Sequence, residues 1–203
     1  MALQIDDAFI GKWHPKYDEL EPGDEEVYDA LVRTVKEEMK SKGRISKKTF
    51  LDIWKWKGAM RVIRHARIYV EGQVTKASTL AEDEYETCYA MAFSRAADPR
   101  LPERKLAELL GPGRKLPGVG APTGSTIIHF IDPKNTPIID VRTVEVLVEA
   151  RRISTKHRDL EHYEQFRKAI DVIKHNCPKR TLRQIDRALF AYHKLVLDKK
   201  RKC

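Results

Sequence analysis

Cysteine is scarce in this chain, and long apolar runs are missing altogether. The three cysteines, Cys88, Cys177 and Cys203, stand far apart. Such spacing offers neither a zinc site nor the four ligands of an iron–sulfur cluster, and it suits a reducing compartment better than a disulfide framework. No apolar stretch approaches the roughly 20 residues that span a bilayer, because His, Pro, Gly or charge interrupts each one. The first residues lack the basic-then-apolar pattern of a secretory leader. These absences predict an intracellular protein of the cytoplasm, nucleoid or nucleus, without membrane association. Alternating apolar and polar residues are confined to short pieces at Val70–Thr75 and Pro137–Ile139, so a β-fold is not expected. No internal repeat or low-complexity segment is visible.

Helical periodicity is abundant. Val27, Leu31, Val35 and Met39 recur every four residues after a cap at Asp24, and Gly43 stops that helix. Ser46 opens a second helix carrying Phe50, Ile53 and Trp54. Thr79-Leu80-Ala81-Glu82 reads as a capping box for a third, which buries Tyr85, Cys88, Tyr89 and Phe93. Further helices are expected over 141–152, 160–175 and 182–197, with Asp159 and Thr181 as caps and Pro178 as a break. Residues 1–23, with Trp13, Tyr17 and two prolines, read as a packed arm that is not helical throughout. A chain of 203 residues can bury a real core. The expected architecture is all-α: one domain of two lobes with a cleft between them. It runs as a helical lobe over 24–100, a middle segment over 101–155 and C-terminal helices over 156–203.

Charge is unevenly placed. Residues 1–100 carry 17 Lys/Arg against 18 Asp/Glu, while 101–203 carry 22 against 12. The second half is therefore strongly basic and ends in Lys199-Lys200-Arg201-Lys202, a pattern that attracts polyanions and makes binding salt-sensitive. The block Asp18–Asp29 contains no Lys or Arg and is expected to face away from nucleic acid.

The basic half also holds the chain's most specific motif. Leu116, Pro117, Gly118, Val119 and Gly120 form a short turn in which the two glycines permit positive φ and leave backbone N–H groups open to an anion. The run from Ile127 to Ile131 reads as a helix whose positive N-terminal end sits at that turn. A short helix over Pro102–Leu110 precedes it, giving helix, hairpin, helix. Twenty residues beyond Gly120, after Thr136-Pro137-Ile138-Ile139, comes Asp140, which opens the next helix.

This combination resembles the signature of the helix–hairpin–helix Gly/Pro/Asp superfamily of DNA glycosylases, over about residues 100–150. The resemblance implies that Leu116, Pro117, Gly118, Val119, Gly120 and Thr123 hold a DNA phosphate, with a monovalent cation on the hairpin carbonyls. It implies that Asp140 is the catalytic carboxylate. An anion near C1′ stabilises the positive charge that builds on the sugar as the base leaves, and it orients the attacking water. An isolated Asp at this position would read simply as a helix N-cap. Relatives that also cut the strand place a nucleophilic Lys where this chain has Pro122, so the implied enzyme is monofunctional. The cysteines for the cluster carried by some relatives are absent, and no cofactor is required. Trp56, Lys57 and Tyr69 are candidates for a pocket that takes a flipped base, whereas Trp54 reads as core. Arg142 is placed to hold Asp140 or a phosphate, and His129 reads as a packing histidine. The expected partner is double-stranded DNA carrying a modified or mismatched base, bound by a monomer. Two other functions fit the same residues: a non-catalytic DNA-binding module, and an RNA-associated factor.

Overall fold

Ser46 shows how the sequence sets the local structure. Its hydroxyl accepts the Thr49 N–H at 3.3 Å as the cap of helix α4 (Lys47–Trp56). Its own N–H and hydroxyl donate to Glu38, at 2.8 and 2.7 Å, on helix α3 (Asp24–Lys42). One cap thus fixes a helix start and ties it to the preceding helix. The computed structural model describes residues 3–58, 67–70, 73–76, 79, 81–90, 92, 95 and 119–200. In chain order the elements are α1 (Asp7–Trp13), α2 (Lys16–Leu20), α3, α4, β1 (Arg67–Val70), β2 (Gln73–Lys76), α5 (Glu82–Tyr85), α6 (Ala121–Ile131), α7 (Val141–Glu149), α8 (Leu160–Asn176) and α9 (Leu182–Tyr192). The fold is all-α, and among the described residues β1 and β2 form one antiparallel hairpin that pairs Arg67 with Lys76 and Val70 with Gln73. Of the piece read over Val70–Thr75, Val70 lies on β1 and Gln73, Val74 and Thr75 on β2. The Pro137–Ile139 piece belongs to neither a helix nor a strand.

The chain forms two compact units, Met1–Glu25 with Pro133–Cys203, and Glu26–Asp132. This division differs from consecutive segments over 24–100, 101–155 and 156–203, because the N-terminal arm belongs with the C-terminal helices.

In the 26–132 unit, α3 buries Tyr28, Leu31 and Val35, whereas Val27 is 50 % exposed. A stripe of period four drifts around a helix of 3.6 residues per turn, so the buried face follows 28, 31 and 35 instead. Gly43 and Gly58 take φ of +67° and +68° and end α3 and α4. Phe50 packs against Trp54, Tyr85 and Tyr89. Helix α5 begins at Glu82, with the Ala81 N–H bonded to Glu84, so the expected box at Thr79 lies two residues too early. A π-helical turn, Glu86–Ala90, then carries Tyr89 into the core.

In the other unit, Phe9 and Trp13 of α1 pack on Tyr192 of α9. Asp159 and Thr181 cap α8 and α9 as expected. Helix α9 gives way to a π-helical stretch over His193–Leu197. The arm holds two short helices, α1 and α2, separated by a turn at His14 and Pro15.

Candidate nucleic-acid site

Asp140 is delivered by a buried approach. Thr136, Pro137, Ile138 and Ile139 are all buried, and the Tyr163 hydroxyl on α8 donates to the Pro137 carbonyl at 3.1 Å. Helix α7 then starts because the Asp140 carboxylate caps it. Oδ1 accepts the Arg142 N–H at 2.9 Å, and the Asp140 N–H donates to Thr143 Oγ1 at 3.1 Å. The Arg142 guanidinium stands 3.9 Å from the same oxygen and lies over the Phe190 ring at 4.7 Å. Phe190 in turn meets Tyr17 edge-on. The Asp140 side chain keeps 21 % of its surface exposed. Asp140 is thus a helix cap that also presents an oriented carboxylate to solvent.

The hairpin is described from Val119 onward; Leu116, Pro117, Gly118, Lys115 and the expected Pro102–Leu110 helix lie outside the described residues. Val119 is buried at 1 %. Gly120 caps α6 with φ −102°, extended backbone that any residue adopts, so positive φ is not the reason for glycine there. A Cβ at Gly120 would meet nothing closer than Pro122 Cδ, at 3.7 Å. The Gly120 N–H donates to Thr123 Oγ1 at 3.0 Å, and Thr123 Oγ1 donates back to the Gly120 carbonyl at 3.1 Å. Thr123 therefore occupies the N–H that the family likeness assigns to a phosphate. The Ala121 and Thr123 N–H groups of the first turn, which no intrahelical carbonyl reaches, remain as the donors of that end. Pro122 falls in the first turn, where its missing N–H is harmless.

Of the residues considered for a base pocket, Trp56 is partly buried, edge-on to Phe130 at 5.1 Å and beside Tyr28 at 5.8 Å. Lys57 caps the C-terminus of α4. Tyr69 lies on β1, opposite Val74. Trp54 is core at 1 % exposure. His129 is buried and bonded to the Tyr28 hydroxyl at 2.8 Å, as a packing histidine should be.

Electrostatically, the basic half is less free than its composition implies. Arg183, buried on α9, bonds Asp24 at 2.6 Å, Asp186 at 3.1 Å and Glu25 at 3.3 Å, and lies over the Tyr17 ring. Arg187 pairs with Asp18 and Glu25, and Arg180 with Asp7. Three residues of the acidic block, Asp18, Asp24 and Glu25, pair with α9, because burying two arginines requires carboxylates beside them. A further pair escaped the sequence entirely: His193 Nε2 lies 2.5 Å from Glu145 Oε2, both nearly buried. Nothing in a separation of 48 residues signals it. Cys177 is buried, and burial raises its thiol pKa. Among the described residues no group of His, Cys, Asp and Glu is arranged to hold a metal ion, and no helix is long and apolar enough to cross a membrane.

Comparisons of the chain with protein-family models, with curated proteins and with solved structures find no match.

Proposed function

We propose that the protein is a monofunctional DNA glycosylase in which Asp140 is the essential carboxylate. The observation that carries this reading is the state of Asp140: capped through Oδ1, steadied by Arg142 and still partly open to solvent. A carboxylate held in that way supports charge on a sugar without reorganising during the reaction. In the proposed step the C1′–N bond of a flipped nucleotide breaks and the electron pair leaves with the base. Water attacks C1′, its proton passes to the departing base, and Asp140 offsets the sugar's transient positive charge. No amine nucleophile takes part, since Pro122 stands where lyase relatives of the resembled superfamily carry Lys. The first turn of α6, with Thr123 and Gly120, holds a phosphate of the DNA, and a monovalent cation on the hairpin carbonyls belongs to the same proposal. DNA is the proposed partner, and a monomer the proposed active form.

The test is a set of duplexes, each carrying one modified or mismatched base. The proposal expects free base and an abasic strand that breaks only on later alkali treatment, with little covalent complex trapped by borohydride. Efficient trapping would assign the chemistry to a lysine. Binding without base release from any duplex would favour the second reading, a non-catalytic DNA-binding module. That reading draws on the hydrogen bonds that already make Asp140 a sufficient helix cap.

A further inference from the structure

At the opposite end of α7 from Asp140 lies an open groove of about 810 Å³ between the α7 C-terminus and α8. Its floor is aliphatic, from Val148, Ile153, Ala169 and Val172, and Val172 is 48 % exposed. Its rim carries Arg151, Arg152, Lys168, Ser154 and Gln165. None of these five polar side chains bonds or pairs with another described residue. The contrast within the same unit is sharp, because Arg142, Arg167, Arg180, Arg183 and Arg187 are each matched to a carboxylate.

The backbone here is unusual as well. Helix α7 ends with the Arg152 N–H bonded to the Leu147 carbonyl at 2.8 Å and the Arg151 N–H to the Val148 carbonyl at 2.9 Å. That closure needs a left-handed residue, and Arg151 supplies it at φ +54°, where glycine fits with least strain. Arginines after a helix also complement its negative end. That role calls for neither a left-handed arginine nor Lys168 from a second helix.

We propose that this groove binds one nucleotide unit. Arg151, Arg152 and Lys168 hold its phosphate, the sugar and base lie on Val148, Ile153 and Val172, and Ser154 and Gln165 meet polar edges. Guanidinium forks match phosphate oxygens bidentately, and the volume lies in the range of small-ligand sites. The same phosphate chemistry is offered by a free nucleotide and by a nucleotide within a strand. A helix of nine residues puts the groove about 14 Å from Asp140 along the axis. The groove is therefore a separate site and does not depend on catalysis at Asp140.

The experiment measures fluorescence anisotropy of a labelled 20-nucleotide strand at low salt, with adenosine monophosphate as competitor. Wild type, Arg152→Glu, Lys168→Glu, Lys168→Gln, Arg151→Gly and the charge control Lys134→Glu are compared. The groove variants are expected to weaken binding by about tenfold for each reversed charge, against little change for the control. Arg151→Gly is expected to bind several-fold more weakly while its Tm stays at or above wild type, because the strain is relieved. Displacement of the strand by the mononucleotide would assign the groove to free nucleotides; no displacement, with the same losses, would assign it to a strand. Wild-type binding in folded Lys168→Gln and Arg152→Glu, an equal loss in Lys134→Glu, or no binding by wild type would each overturn the proposal. Because Asp140→Asn leaves the groove intact, failure of the glycosylase reading and failure of this one are separately visible.

Discussion

Asp140 Oδ1 lies 2.9 Å from the backbone nitrogen of Arg142 and 3.9 Å from its guanidinium, so one residue anchors the carboxylate from two directions. The backbone contact starts a helix. The guanidinium, itself steadied over Phe190, biases the direction in which the carboxylate faces.

Substitution separates these roles. Asp140→Asn keeps an oxygen for the Arg142 N–H and removes the charge; Asp140→Ala removes both. Denaturant unfolding should show Asn close to wild type and Ala less stable by about 1 kcal/mol. Base release should fall by about 10²-fold or more in both, if charge stabilisation is the principal effect. Full activity in a folded Asn variant would leave Asp140 as a cap alone.

Arg183 on α9 holds the start of α3 through Asp24 and Glu25 and lies over Tyr17 of the N-terminal arm. It is 7 % exposed, and although burial opposes its charge, Asp186, Tyr17 and Glu25 keep its pKa above the ordinary arginine value. Arg183→Met would remove the cation that Asp24, Glu25 and Asp186 share and leave Glu25 to Arg187. Loss of one partner from a buried ion cluster typically costs about 3 kcal/mol or more. Urea melts should show that loss, and the double variant Arg183→Met with Asp24→Asn should recover part of it.

Much of this fold was legible because its signals are local. The caps at Ser46, Asp159 and Thr181 each depend on a side chain reaching a backbone three residues away. Such signals are written in consecutive letters, and so is the Asp140 cap. What escaped depends on partners distant in sequence. The Arg183 cluster joins residues 158 and 159 apart, and no periodicity announces that Asp24 is claimed by α9 rather than spent on capping α3. The groove was hidden for a related reason: only a second helix brings Lys168 to the groove that Arg151 and Arg152 line. Gly120 was misread in conformation, since two nearby glycines suggest positive φ while the cap of α6 needs only an extended one.

Acid should weaken the protein through Glu38. Burial raises its pKa, but the hydrogen bonds from Ser46 and Thr49 outweigh burial and hold it below the ordinary carboxylate value. A depressed folded pKa contributes stability at neutral pH. That contribution fades as pH falls through the ordinary value toward the folded one, because the unfolded chain takes up the proton first. Tm should therefore decline from about pH 5 to pH 3, and Glu38→Gln should decline less steeply while starting lower. An identical slope in the two proteins would remove Glu38 from the acid response.

Gly120 offers the cleanest test of the hairpin. Its φ of −102° suits any residue, and an added Cβ would find ordinary contact with Pro122 Cδ at 3.7 Å. Gly120→Ala should therefore fold, with stability within about 1 kcal/mol of wild type, since alanine caps less well than glycine but narrows the unfolded ensemble. If a phosphate approaches the first turn of α6, the new methyl stands in its path and duplex affinity should fall by about tenfold. Thr123→Val, which frees the Gly120 N–H by removing the oxygen bonded to it at 3.0 Å, tests the same surface from the other side. Its effect should be to destabilise the start of the helix by about 1 kcal/mol, with the exposed N–H available to the phosphate. Glycine is kept at 120 for the approach of a ligand if Gly120→Ala binds weakly and melts normally. It is incidental if the alanine variant binds duplex DNA as wild type does.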